Sequence, residues 1–405
     1  MALMVLVAAT ACQSVAPAVP NPLVDQAVSA SRCPPLAPIA GFVGRDDAAL
    51  LQNVRTPFRA TGTNLYYLPQ TFAYAQQDGK DSLRNVATEV LDDLVCLSSP
   101  VARIWAFNDT RDRSSFRFSP AEGFRESGLR GLDEAVFEAK RRGIRLIMPL
   151  VNNWGDFGGL PAYARWATEL TGLPHTKDDF FFDARMQSWW KDYVAMLADR
   201  VNVFTGVRYR DEPAILAWEI GNELRCKTCG SSEPLTRTVR ELAAFARAMF
   251  PQQLIADGGE GFDDRPFAYV GLENPYSVSG VEGASFSDLV ALPELDMLSY
   301  HLYPKNYGLR LGRDTELWIR RHQTLAAAGG KVAYLGECGQ EASDSERALS
   351  FDAWLGHVYE GGGGQIGLTW QLLPESRRLN DGYAIYARRD SDTAFVMSRW
   401  GRALR

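Results

Sequence analysis

The chain has 405 residues, 46% of them hydrophobic, and a formal net charge of −6. An acidic balance without a basic stripe excludes a protein that grips nucleic acid through its phosphates. The length allows two or three ordinary domains, or one α/β barrel of about 250 to 400 residues.

Met1 to Ala11 is an apolar run that ends at Cys12. It suits a signal h-region and is too short to span a bilayer. A small residue followed by cysteine resembles a bacterial lipoprotein signal, in which that cysteine carries the lipid. The basic n-region of such signals is missing, so a plain secretory signal is the alternative. Residues 1–12 are therefore read as a signal or lipoprotein-like segment, with a lipid anchor at Cys12. Residues 13–40 are rich in Pro, Ala and Ser and lack periodicity, which predicts a tether. Residues 41–405 are read as one domain, secreted or held at a bacterial cell surface, and monomeric.

Eight apolar stretches follow, with helical patterns between them. They cover 59–68, 101–107, 144–151, 215–220, 254–257, 297–301, 332–335 and 365–370. A helix is expected over Ser82–Leu97, where Leu83, Val86, Val90, Leu91 and Leu94 form one apolar stripe. Others are expected over Leu132–Arg142, closed by Gly143, and over Ala184–Phe204. Strands alternating with helices predict a parallel sheet, and eight of them predict closure into a (β/α)8 TIM barrel. An open doubly wound sheet would want a glycine-rich phosphate turn after its first strand, and Gly62-Thr63-Asn64 is not one.

The strand ends carry the chemistry. In chain order they present Asn64 and Tyr66; Arg103; Asn153 and Trp154; Asn222 and Glu223; Glu260; His301 and Tyr303; Glu337; and Trp370. A barrel collects its active site at the C-terminal ends of its strands. Singly, each residue has a plainer explanation: a strand-end glutamate as an ion-pair member, a tryptophan as core. Polar groups on successive strand ends are harder to assign to packing. Glycoside cleavage needs such a set, with one carboxylic acid to protonate the leaving oxygen and one carboxylate beside the anomeric carbon. Glu223 suits the acid/base and Glu337 the nucleophile, held ionised by Arg103 and Tyr303. Asn222 suits a sugar 2-hydroxyl, Trp370 a floor beneath the sugar, and Tyr66 and Trp154 flanking subsites. Such a mechanism requires no metal and no cofactor.

Six cysteines complete the inventory. Cys226 and Cys229 have the spacing of half a zinc site, a redox pair or a loop disulfide. No second Cys-x-x-Cys exists, and export favours the disulfide. Cys33 and Cys96 are available to pair, which their positions do not decide. Cys338 is expected to be a buried free thiol.

In combination these residues resemble glycoside hydrolase family 5. Arg103, Asn222-Glu223, His301-x-Tyr303, Glu337 and Trp370 match that family's pattern, and several segments resemble its endo-β-1,4-mannanases. These are Gly62-Thr63-Asn64-Leu-Tyr, residues 103–108, residues 151–159, Trp218 through Cys226 with Cys229, residues 259–262 and His-Leu-Tyr-Pro at 301–304. The resemblance spans about residues 58–375. It implies a retaining enzyme that cleaves internal bonds of β-mannan, glucomannan or galactomannan, with Cys226 and Cys229 paired in a loop. Gly221, Leu224, Tyr67, Cys338 and Tyr307 depart from the common residues Ala, Pro, Trp, Phe and Trp, which puts subsite preference in question. The alternatives are an exo-β-mannosidase or mannan transglycosylase of the same fold and, from another class, a non-catalytic glycan-binding lipoprotein.

Overall fold

The computed structural model describes residues 33–53, 55–360, 364–377 and 381–405. The signal segment, Cys12 and most of the predicted tether lie outside them. Eight parallel strands close into a barrel: β4 (Ala60–Asn64), β5 (Val101–Arg103), β6 (Arg145–Pro149), β7 (Ile215–Glu219), β8 (Leu254–Ala256), β9 (Met297–Leu302), β10 (Val332–Cys338) and β11 (Ile366–Thr369). Each coincides with one of the eight apolar stretches. Full burial of every barrel strand explains the runs, since helices cover the outer face and side chains fill the inner one.

The strands are mostly shorter than the apolar runs. Val101–Phe107 contributes three strand residues, and beyond them Trp105 stacks on Phe107 with ring centroids 5.1 Å apart. The helix before β5 covers Asp81–Cys96 and buries Ala87, Val90, Leu91 and Leu94 along one stripe. The helix expected to continue to Phe204 ends at Asp199. There Asn202 accepts hydrogen bonds from the amides of Phe204 and Thr205, and this local turn outcompetes another helical turn.

A small antiparallel sheet escaped the sequence reading: β1 (Val43–Asp46), β2 (Ala49–Gln52) and β3 (Thr56–Pro57). Val43, Leu50 and Phe58 join the barrel's interior cluster with Val101, Met297, Val332 and Ile366, so this sheet plugs the bottom. The predicted tether also stops short of residue 40. Cys33 is disulfide-bonded to Cys96, and Leu36 is buried beside the barrel base. Both attachments leave the opposite end of the barrel open. Among the described residues no helix is long and apolar enough to cross a membrane.

Candidate active site

Arg103, the last residue of β5, is the hub of the barrel mouth and is fully buried. Its Nε and Nη2 donate to the two carboxylate oxygens of Glu219 at 2.8 and 2.6 Å. Nη1 donates to Glu337 Oε1 at 2.6 Å and to Asn64 Oδ1 at 3.2 Å, and Nη2 also reaches Asn222 Oδ1 at 2.7 Å. All five guanidinium N–H groups are thus used. Burial works against the charge, but Glu219 and Glu337 outweigh it and raise the pKa above the usual guanidinium value.

Glu337 sits near the end of β10, where the register against β9 slips by one residue at Gly336. That bulge turns the carboxylate into the mouth. Besides Arg103 it accepts from the Tyr303 hydroxyl at 2.6 Å. Glu223 follows β7, and its backbone is held in the left-handed region at φ 57°. A non-glycine residue there is strained, and such positions cluster at functional sites. Its Oε2 accepts from Trp154 Nε1 at 2.6 Å, and its Oε1 lies 2.8 Å from His301 Nδ1. One oxygen of Glu223, one of Glu337 and a ring nitrogen of His301 all lie within 4.8 Å of one another.

Electrostatics follow from depth. Burial raises the pKa of Glu223, with Trp154 as the main opposing influence. Burial lifts Glu337 well above the usual carboxylate range, and Arg103 pulls it back. Burial, then Arg103, depresses His301 to about 3, so its ring is neutral. Glu260 is pushed up to about 7, first by burial and then by the charge of Glu223.

The mouth opens into a cleft of about 430 Å³ lined by Trp105, Trp154, Asn222, Glu223, Glu260, Tyr303, Glu337 and Trp370, among others. Five of the strand-end residues singled out in the sequence do not line it. Arg103 and His301 lie beneath the carboxylates and hold them. Asn64 is fully buried, its amide donating to the carbonyls of Gly336 and Thr369. Asn153 is fully buried as well, and its oxygen accepts from Lys177 Nζ and the Arg225 amide. Tyr66 stacks on Trp370 at 5.2 Å and 12°, backing the indole. A short strand turns alternate side chains inward, and in a narrow barrel several of those can only meet one another.

The sequence reading passed over Glu219, Tyr334 and Arg225. Tyr334 donates to Glu219 Oε1 at 2.6 Å. Arg225 bridges Glu260 and Glu282 and lies 4.9 Å from the centroid of Trp154. A signal for Glu219 existed: a lone acid inside an apolar strand needs a cation, and one carboxylate cannot satisfy a buried arginine. Cys226 and Cys229 are disulfide-bonded beside Arg225, and Cys338 is a buried free thiol.

Two carboxyl groups this close, one on an arginine and the other on a histidine and an indole, suit displacement at an acetal carbon with retention; inversion needs about 6.5 to 9.5 Å. Barrel and carboxylate pair together define a glycoside hydrolase. The chain belongs to glycoside hydrolase family 5: residues 40–321 match the model described as GH family 5 beta-mannosidase-like. Mannan endo-1,4-beta-mannosidase 8 of Oryza sativa subsp. japonica is 32% identical, the match covering 86% of this chain and 96% of that protein. Mannan endo-1,4-beta-mannosidase 7 of Arabidopsis thaliana is 30% identical, with 91% and 86% covered. Among solved structures, the endo-1,4-beta-mannanase from Rhizomucor miehei superposes with a TM-score of 0.78 at 27% identity over 90% of this chain and 99% of that one. The endo-beta-1,4-mannanase from Thermotoga petrophila gives 0.75 at 31% identity, covering 86% and 77%.

Proposed function

We propose that the chain is a retaining endo-β-1,4-mannanase acting on mannan-type polysaccharides, with Glu337 as nucleophile and Glu223 as acid/base. The observation that carries this reading is the spacing of the two carboxyl groups, within 4.8 Å, at the ends of the fourth and seventh barrel strands. Two buried acids so close do not both ionise freely. The pKa of Glu337 is raised further than that of Glu223, yet Glu337 alone has a guanidinium in contact and a hydroxyl donor besides. The anion belongs there, and the shared proton belongs on Glu223.

In the first step Glu337 attacks the anomeric carbon and forms a glycosyl ester. The C–O bond to the departing sugar breaks, and its oxygen takes the Glu223 proton. In the second step Glu223, now a carboxylate, removes a proton from water as that water attacks the same carbon and the ester is released. Neutral His301 orients Glu223 without competing for its charge. Asn222 lines the cleft with its oxygen fixed by Arg103, leaving an amide hydrogen for a sugar hydroxyl. Trp370, backed by Tyr66, offers an apolar face for the ring of a bound sugar.

Internal cleavage is supported by relatives at 30–32% identity named for endo action. The structures named as family 5 mannosidases stand at 16–17% identity and carry the fold alone. Export suits the Cys33–Cys96 and Cys226–Cys229 disulfides. The lipid anchor at Cys12 rests on the sequence alone. Reducing-sugar release from mannan, glucomannan, cellulose and xylan tests the reading, with Glu223→Gln and Glu337→Gln as controls. Mannan-type substrates should be cleaved by the wild type and by neither variant. Equal cleavage of cellulose, or mannose released singly from one chain end, would overturn it.

A further inference from the structure

Beyond β11 the chain returns to the cleft at Tyr383, outside the residues matched by the family model. Tyr383 donates from its hydroxyl to Asn306 Oδ1 at 3.0 Å, and both residues line the cleft. The ring of Tyr383 stands edge-on to Tyr303, centroids 5.5 Å apart at 89°, and Tyr303 holds Glu337. Gly339 makes that approach possible, because a Cβ there would lie 2.7 Å from Tyr303 Cε1 and 2.8 Å from Tyr383 Cδ1. The backbone amide of Tyr383 is anchored on Asp381, and Asp381 accepts from Gln371, the neighbour of Trp370. At the rim, Lys305 pairs with Glu341 at 2.7 Å. The loops after the sixth, seventh and eighth barrel strands are thereby tied together above the nucleophile.

A packing role explains the rings but not the amide. Asn306 is exposed, and a solvent-facing hydrogen bond adds little to stability. The Tyr383 hydroxyl stands between Asn306 and the Glu341 carboxylate, and its contact with the Asn306 oxygen turns the amide nitrogen, without a protein partner among the described residues, to the cleft wall. We infer that Asn306, oriented by Tyr383, is a substrate-recognition residue that donates to a hydroxyl of the mannan-type chain bound beside Tyr303. This rests on the function proposed above.

The experiment measures steady-state kinetics on mannohexaose for the full-length wild type, Asn306→Ala, Tyr383→Phe and the double variant, with Tm recorded for each. One lost hydrogen bond should raise KM about three- to tenfold in Asn306→Ala while kcat changes less than about twofold. Tyr383→Phe keeps the ring and removes the orienting hydroxyl, so its KM should rise by no more than that. The double variant should match Asn306→Ala, because Tyr383 acts through Asn306. An unchanged KM in Asn306→Ala overturns the inference, and so does a loss confined to kcat with a lowered Tm, which marks packing alone. Failure of the wild type to cleave mannohexaose would instead remove the function reading, and this inference with it.

Discussion

Arg103 divides its guanidinium between two carboxylates, giving Nε and Nη2 to Glu219 and Nη1 to Glu337. Glu219 neutralises the hub from below while Glu337 faces the cleft. The charge on Glu219 also acts to raise the pKa of Glu337, behind the larger effects of burial, Arg103 and Glu223. Glu219→Gln should therefore lower the pKa of Glu337 and move the acid limb of kcat/KM to lower pH, since the nucleophile must be ionised. Breaking a buried pair costs about 3 kcal/mol or more, so denaturant unfolding should show a matching loss of stability. An unmoved acid limb would mean that Glu219 serves stability alone.

Trp154 donates to Glu223 at 2.6 Å and favours its charged form against burial, which raises the pKa. Trp154→Phe removes the donor, so the pKa of Glu223 should rise further. The acid must be protonated in the first step, so the alkaline limb of kcat/KM should move to higher pH. A shift to lower pH would contradict this assignment of the proton.

Gly221 and Leu224 bracket Glu223 and fit each other. A Cβ on Gly221 would lie 2.9 Å from Leu224 Cδ2 and 3.0 Å from Val151 Cγ1. With the larger Leu224 in place, the smallest residue is needed at 221. Gly221→Ala should cost about 1 to 3 kcal/mol of stability and lower kcat about tenfold by displacing the strained Glu223 backbone. Adding Leu224→Ala should recover most of the kcat loss. Equal activity in Gly221→Ala and wild type would show that the strand end adjusts without cost.

The Cys33–Cys96 disulfide closes a separation of 63 residues at the barrel base. Chain entropy for a loop of that size corresponds to about 4 kcal/mol. A Cys33→Ser/Cys96→Ser variant should melt at lower temperature and keep its kcat at 25 °C, because the strap is at the end opposite the cleft. A drop in kcat in the folded variant would reveal coupling between the two ends.

Much of this architecture was legible in the residues. Eight buried runs announced the barrel because parallel strands are apolar on both faces, and Glu223 and Glu337 stood out as acids where those runs stop. The plug of β1 to β3 was not legible, since its strands are short and half exposed, with little apolar signal. The division between residues that touch substrate and residues that hold those residues was also hidden. Asn64, Asn153 and His301 sit at strand ends just as Asn222 does. Only closure of the barrel decides which point into the cleft and which meet Arg103, Lys177 or a neighbouring carbonyl. The partnership of Tyr383 with Asn306 joins positions 77 residues apart, which no local pattern announces.

The central claim is that Glu337 and Glu223 cleave by double displacement, and the anomer formed first tests it most directly. Proton NMR of mannohexaose digestion, recorded before mutarotation, should show β-configured reducing ends appearing first and α-ends following slowly. Initial formation of α-ends would establish inversion and contradict the covalent role assigned to Glu337.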